Sequence, residues 1–385
     1  METDIRSCEE LSYYYEIQPF MEKISTPKYL NKQILIGQNK GYSNFRINLT
    51  KAERTYPNIC VPIAGAIDFY RTRRVNFDFV VEEKKNSYLQ HTSFHTPLIV
   101  EDLIGKRELS SPLDKVWRFS TSEGVCKLVD AYVSAIRESD EVAKGVLDSL
   151  EWCINETMDN VLQHSSAPYG FVMGQIQKET KRLSICIFDW GRGIYNTLKE
   201  SKHKPTKALD AITLALQERV TRDEKIGQGN GMWGLSEVIK GNNGFVRVSS
   251  SGASYTYSNE EVTTIANGEM NFGDQQGSTF VDFQLDYRKA IDFEKALGGY
   301  EPVNLWLEER ELDNGEYQIV VSEQAHGTGT RQSAMKLRNS ILNIFHEKHQ
   351  RITLDFSGVN LVSSSFADEL LTHQINNGQT KQRSK

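Results

Sequence analysis

The sequence is short of several things. Its 385 residues include only 5 cysteines (Cys8, Cys60, Cys126, Cys153 and Cys186), and no two of them form a C-x-x-C pair. An odd, scattered set excludes a disulfide framework and a zinc ribbon, and fits a reducing, cytoplasmic setting. No apolar run reaches the length of about 18 residues that a membrane helix needs. The mean hydropathy of −0.49 agrees, so no membrane association is expected. The opening METDIRSCEELSYYYEI carries acids and no apolar stretch, unlike a secretory leader. Excess charge of either sign is also missing: 45 Lys and Arg face 51 Asp and Glu, a net charge of −6. That balance argues against a general nucleic-acid binder, which works by neutralising phosphates. Arg71, Arg73 and Arg74 read as a solvated helix end. No repeat or low-complexity tract is present. What remains is 38% apolar and 25% charged, an ordinary globular composition. At roughly 150 residues per domain it suits two or three domains.

Hydrophobic periodicity divides the chain. Residues 1–25 read as an N-terminal extension. Residues 33–38 (QILIGQ) and 44–49 (NFRINL) read as strands around a turn, 63–70 has helical spacing, and 75–81 alternates with period two. An α/β accessory domain is expected over 26–115, with 87–114 as irregular cover. Helices with apolar stripes are expected over 122–137 and 140–163. Residues 170–177 and 183–188 form a hairpin whose second strand is apolar throughout, the mark of a central strand. A helix over 206–220, another stopped at 241–244, and strands at 245–250, 262–266 and 278–285 complete a block over 116–290. Strands grouped late predict an α+β fold, a central α/β sandwich rather than a doubly wound sheet. Beyond a boundary segment at 286–302, residues 303–375 read as strand, helix, strand, helix. Residues 376–385 read as a polar tail.

Three short patterns carry chemistry. Glu156 and Asn160 are i,i+4 on a helix and project from one face. The amide oxygen suits Mg²⁺, and a carboxylate one turn away can take a proton from an attacking water or hydroxyl. A solvent-exposed polar face gives the same spacing. The run Asp189-Trp-Gly-Arg-Gly193 follows the apolar strand. A carboxylate there can accept from an exocyclic amine such as adenine N6, and glycines let a backbone approach a planar base. A plain turn with Asp at its first position reads the same way. The run Gly227-Gln-Gly-Asn-Gly-Met-Trp-Gly-Leu235 opens a helix, where backbone N–H groups and the helix dipole favour phosphate. It matches G-x-G-x-x-G, but TRDEKI precedes it in place of a strand and no acid follows at the dinucleotide-binding spacing. Walker A, which needs Gly-Lys-Ser/Thr, is absent.

In order, ExxxN, DxGxG, GxGxGxxG and the run Gly277-Ser-Thr-Phe280 resemble the GHKL ATPase superfamily, which includes gyrase B, heat-shock chaperones, sensor histidine kinases and MutL. The resemblance covers about residues 120–286. It implies a Bergerat-type ATP fold with ATP and Mg²⁺ as ligands and a lid over 194–226. It also implies Glu156 as general base and Asn160 as the Mg²⁺ ligand, with Asp189, Gly191 and Gly193 at the adenine. Gly229, Gly231 and Gly234 would face the phosphates, and Ser278 or Thr279 would supply a hydroxyl. A histidine kinase is disfavoured, because Glu156 stands where such kinases have Asn. His164 follows the first box as in anti-sigma serine kinases. Residues 352–371 resemble STAS-like domains, with Ser365 at the phosphoacceptor place of the anti-anti-sigma factors. Ser364 or Ser365 reads rather as a helix N-cap. Residues 26–115 have a STAS-like flavour too. The resemblance therefore implies an ATP hydrolase or protein serine kinase with a regulatory protein partner, in which a homodimer is allowed. The alternative is an ATP-gated binding module with little turnover.

Overall fold

The structure is a computed structural model. It describes residues 13–52, 54–82, 87–103, 111–218, 220, 231–268, 277–297, 311–312, 314–325, 327–348, 350–359 and 361–375. The chain divides into two units. The first spans Met1–Val129 and Cys153–Asp286, the second Asp130–Trp152 and Tyr287–Lys385.

The first unit opens with β1 (Tyr15–Ile17), α1 (Thr26–Asn39), β2 (Asn44–Asn48), α2 (Pro57–Arg71) and β3 (Asn76–Val80). The strands form a parallel sheet in the order β1-β2-β3. Residues 33–38, expected as a strand, lie inside α1. Leu30, Ile34 and Gly37 are buried along one side of that helix, and Pro27 starts it. A helical stripe with Pro in the first turn overrides the short apolar run. Next come α3 (Ser87–His91) and β4 (Leu98–Ile99), where no regular element was expected, and then β5 (Trp117–Phe119).

Two long helices follow, α4 (Ser122–Ser139) and α5 (Val146–His164), then β6 (Gly170–Gln177) and β7 (Arg182–Asp189). After α6 (Gly193–Lys199), α7 (Ala208–Ala215) and α8 (Gly231–Asn242) come β8 (Phe245–Ser250), β9 (Ala253–Ser258), β10 (Glu261–Ile265) and β11 (Thr279–Asp286). The large sheet has the order β10-β9-β8-β11-β7-β6-β5-β4. It is antiparallel except for the β4–β5 pair. The class is α+β, with β7 and β11 central.

Strand alternation sorts side chains to two faces. Ser249, Phe280, Phe188 and Phe171 form one cross-strand row, and Arg247, Asp282, Cys186 and Met173 the next row on that face. Ser250, Thr279 and Asp189 lie in a row on the other face. Helix α2 covers the phenylalanine face, and its apolar residues share a core with Phe171, Met173, Cys186 and Phe188. The three-stranded sheet contributes Phe45 and Ile47 to the same core, so the expected boundary near residue 115 falls inside one unit. Gly65 makes the close approach feasible: a Cβ there would lie 2.1 Å from the Phe188 ring. Gly65→Val is expected to lower stability by about 1–3 kcal/mol or more, since overpacking forces backbone shifts. An unchanged melting temperature would argue against this shared layer.

The same face buries an acid. Asp282 is 1% exposed and accepts from Asn58 Nδ2 at 3.0 Å. Burial pushes its carboxyl from the ordinary 3.8 up to about 7, against smaller opposing effects of Asn58 and Arg247. The folded state therefore holds a proton that the unfolded chain has already released. Stability contributed this way is present at low pH and is lost as pH rises from about 4 through about 7. Asp282→Asn is expected to remove up to about 1.4 kcal/mol of stability change per pH unit in that window. Denaturant titrations across the window test it, and an unaltered slope would count against a proton on Asp282.

The second unit contains Asp130–Trp152 together with α9 (Phe293–Ala296), β12 (Tyr317–Val320), α10 (Val321–Gln324), α11 (Arg331–Lys348), β13 (Ile352–Asp355) and α12 (Ser364–Ile375). β12 and β13 pair in parallel. Tyr317, Ile319, Leu337, Ile341, Phe366 and Leu370 lie in their core. Asn343, 3% exposed, holds the α4–α5 connection: its Oδ1 accepts from Val142 N at 2.7 Å and its Nδ2 donates to Arg137 O at 3.0 Å. The α12 cap is Ser363, whose Oγ accepts from Phe366 N at 3.1 Å. The helix thus starts one residue before the expected place, and neither Ser364 nor Ser365 is the capping residue. Among the described residues, no helix is long and apolar enough to cross a membrane.

Candidate functional site

The site forms where β7 ends. Apart from the buried Ser184, Leu183–Phe188 are apolar because both sheet faces are covered there, and the strand runs out at Asp189. That side chain is 2% exposed and accepts from Gly191 N at 2.8 Å. Thr279 stands directly opposite in the β7–β11 register. Burial raises the Asp189 carboxyl to about 7, with the Gly191 N–H and the Thr279 hydroxyl pulling the other way. Two glycines fix the turn that follows. A Cβ on Gly191 would lie 2.1 Å from Ser165 O, just past the end of α5. Arg192 N donates to the same carbonyl at 2.7 Å. Gly193 has φ +74°, and a Cβ there would lie 2.3 Å from Gly277 O. Ser250 Oγ joins the group, accepting from Ile194 N at 2.9 Å and donating to Ser278 O at 3.0 Å.

Helix α5 supplies Glu156 and Asn160, both half-buried. Burial, and secondarily Asp159, raises the proton affinity of Glu156. Gly231, the first residue of α8, comes against it: a Cβ on Gly231 would lie 2.4 Å from Glu156 Oε2. Gly234 is buried within α8. Gly227 and Gly229 lie outside the described residues, as do 219 and 221–226 of the expected lid. The described part of that stretch holds α6 and α7.

The fourth run separates its two hydroxyls. Thr279 shares a row with Asp189, whereas Ser278 lines a recess with Phe188 and Phe280 on the opposite face. One contributor had no signal in the sequence. Asp68 on α2 accepts from Trp190 Nε1 at 3.2 Å and from Tyr169 Oη at 2.9 Å. Tyr169 and Phe69 both meet the Trp190 ring edge-on at 5.9 Å. The residue that follows Asp189 is thereby anchored by a helix 122 positions earlier in the chain.

A buried acceptor beside a hydroxyl suits a planar base bearing an exocyclic amine. The N-terminus of an eleven-or-more-residue helix such as α8, whose run is Gly231–Asn242, adds positive potential suited to phosphate. Glu156 and Asn160 lie on the helix against that terminus. Among the described residues, no cluster of three metal-ligating His, Cys, Asp or Glu exists. A hard ion here would have to use an amide oxygen, water and its own ligand's phosphates.

Residues 333–382 match the model of a family described as a STAS-like domain of unknown function (DUF4325). The match begins within α11 and takes in β13 and α12. Among solved structures, the 43K ATPase domain of Thermus thermophilus gyrase B, crystallised with an aminocoumarin, aligns at 16% identity with a TM-score of 0.24. The alignment covers 49% of this chain and 46% of that one, so this chain spans under half the length of that protein. Comparison with curated proteins gives no match.

Proposed function

We propose that the first unit is a GHKL-type module binding Mg·ATP, and that the chain hydrolyses ATP or transfers its terminal phosphoryl group to a protein serine. One observation carries the reading: four sequence-distant runs meet. Gly231 abuts Glu156, Gly191 abuts the residue after α5, Gly193 abuts Gly277, and Thr279 stands opposite Asp189. At each of these glycines a Cβ would collide with the neighbouring run, so the missing side chain is what lets the runs pack this closely. Asp189 and Thr279 would hold the adenine edge, Gly231 and Gly234 with Gly229 the phosphates, and Asn160 the Mg²⁺ ion. When bound, Mg²⁺ supplies charge neutralisation at the phosphate oxygens. Glu156 is suited to take the proton of the attacking water or hydroxyl, since burial has raised its basicity towards the working pH.

The STAS-like segment supports a regulatory partner and a cytoplasmic signalling role. Helix α5 favours a second reading, an ATP-gated binding module with little turnover. Its residues 146–152 belong to the second unit and 153–164, with Glu156 and Asn160, to the first. Calorimetric titration of the full chain with ATP and GTP in the presence of Mg²⁺ tests the common part of both readings. Saturable ATP binding, stronger than GTP binding by about tenfold or more, is expected from an acid that reads N6. No saturable ATP binding would sink both.

A further inference from the structure

Two loops meet beside Asp189. One is the turn that follows it, residues 190–193, and the other is the connection between α5 and β6, residues 165–169. At Gly191 a Cβ would lie 2.1 Å from Ser165 O and 2.8 Å from Asp189 Oδ1, and Arg192 N donates to Ser165 O at 2.7 Å. A single oxygen joins the two loops a second time. Asp68 Oδ2, on α2, accepts from Trp190 Nε1 at 3.2 Å and from Tyr169 Oη at 2.9 Å. The rings of those donors meet edge-on at 5.9 Å, and the Arg118 guanidinium lies 4.5 Å from the centre of the Tyr169 ring.

The clasp acts on the acid through the backbone. Trp190 packs against the core beneath α2, whereas Asp189 shares the row of Thr279 on the other face. The two side chains leave neighbouring positions in opposite directions, so holding the indole sets the direction of the carboxylate. The Tyr169 bond fixes the second loop, whose Ser165 carbonyl bears on Gly191 and Arg192. Stability alone would not call for a carboxyl group here. An apolar side chain packed against the two rings would avoid the cost of drawing a polar group out of water.

We infer that Asp68 is a positioning residue for the base-reading site: it locks the turn after β7 to the α5–β6 connection, so that Asp189 meets an exocyclic amine already in place. The inference rests on the nucleotide reading for what the turn binds, but not for how the turn is held. Both bonds land on one oxygen. An Asn whose amide oxygen takes that place keeps them, and an Ala keeps neither.

Calorimetric ATP titrations and Trp190 fluorescence of the full chain test this, with melting curves to show that each variant is folded at the assay temperature. Emission of Trp190 is read as the difference between each protein and the same protein carrying Trp190→Phe. Asp68→Ala is expected to weaken ATP binding by about tenfold, to move the Trp190 emission and to raise its quenching by acrylamide. Asp68→Asn is expected to match the wild type in all three. Should Asp68→Ala not fold, Tyr169→Phe and Trp190→Phe each delete one donor and keep a ring, and each is expected to weaken ATP by about threefold. Wild-type ATP affinity in Asp68→Ala, or in both donor variants where that protein does not fold, would overturn the inference. So would an unmoved Trp190 signal, or an Asp68→Asn protein that binds as weakly as Asp68→Ala. A wild type that binds no ATP would sink the nucleotide reading instead, and the Trp190 signal would then decide whether Asp68 holds the turn.

Discussion

Asp189→Asn is expected to weaken ATP binding by about 10- to 100-fold, the factor lost with a buried hydrogen bond to a charged acceptor. The variant should fold, because an amide oxygen can still accept from Gly191 N. Melting curves of the two proteins provide that control. The pH dependence makes the test more specific. The wild-type carboxyl sits at about 7 without ligand, and an N–H donor on the base favours its charged form. Wild-type affinity should therefore rise as pH increases through about 7 and level off above it, while the Asn variant stays flat. Equal affinities for the two proteins across that range would remove Asp189 from the base-reading role.

Glu156→Gln should have the opposite signature. Binding of ATP is expected to persist, because the amide keeps the shape that fits against Gly231. Phosphate release should fall by about 10²- to 10⁴-fold, the usual worth of a positioned general base. Release that continues at the wild-type rate would be evidence against Glu156 as the base. A wild-type protein that binds ATP but releases no phosphate, alone or with a serine-bearing partner, would favour the ATP-gated module. The two variants separate binding from chemistry, so neither result can stand in for the other.

How much of this was legible in the residues depended on distance along the chain. The runs around Glu156, Asp189, Gly231 and Gly277 are local patterns, and each can be found in a window of a few residues. Their meeting is a matter of register. The β7–β11 pairing that sets Thr279 against Asp189 links residues 90 positions apart by number, and no periodicity encodes it. That register also explains why adjacent hydroxyls at 278 and 279 serve different faces. Asp68 was invisible for the same reason: an acid in the middle of a helix carries no mark of the indole it will bind. Short elements misled in two places. Residues 33–38 carry a short apolar run that resembles a strand until the longer stripe from Leu30 to Gly37 is considered. β9, Ala253–Ser258, went unnoticed because its run ASYTYS alternates polar with aromatic residues rather than polar with aliphatic ones. The second unit was harder still. Residues 130–152 look like ordinary parts of two amphipathic helices, and long-range bonds such as those of Asn343 and Asn339 reveal which unit they belong to.

Those bonds carry a practical consequence for cutting the protein. The chain visits the second unit twice, first through Asp130–Trp152 and again from Tyr287 onward. A fragment ending near residue 290 would look like a complete nucleotide-binding piece by its motifs. It would nevertheless leave Val142 N and Arg137 O without Asn343, and Trp152 without the Phe293 ring it meets at 5.9 Å. Such a fragment should be sticky and poorly soluble, and any catalytic silence it showed would say nothing about the intact polypeptide.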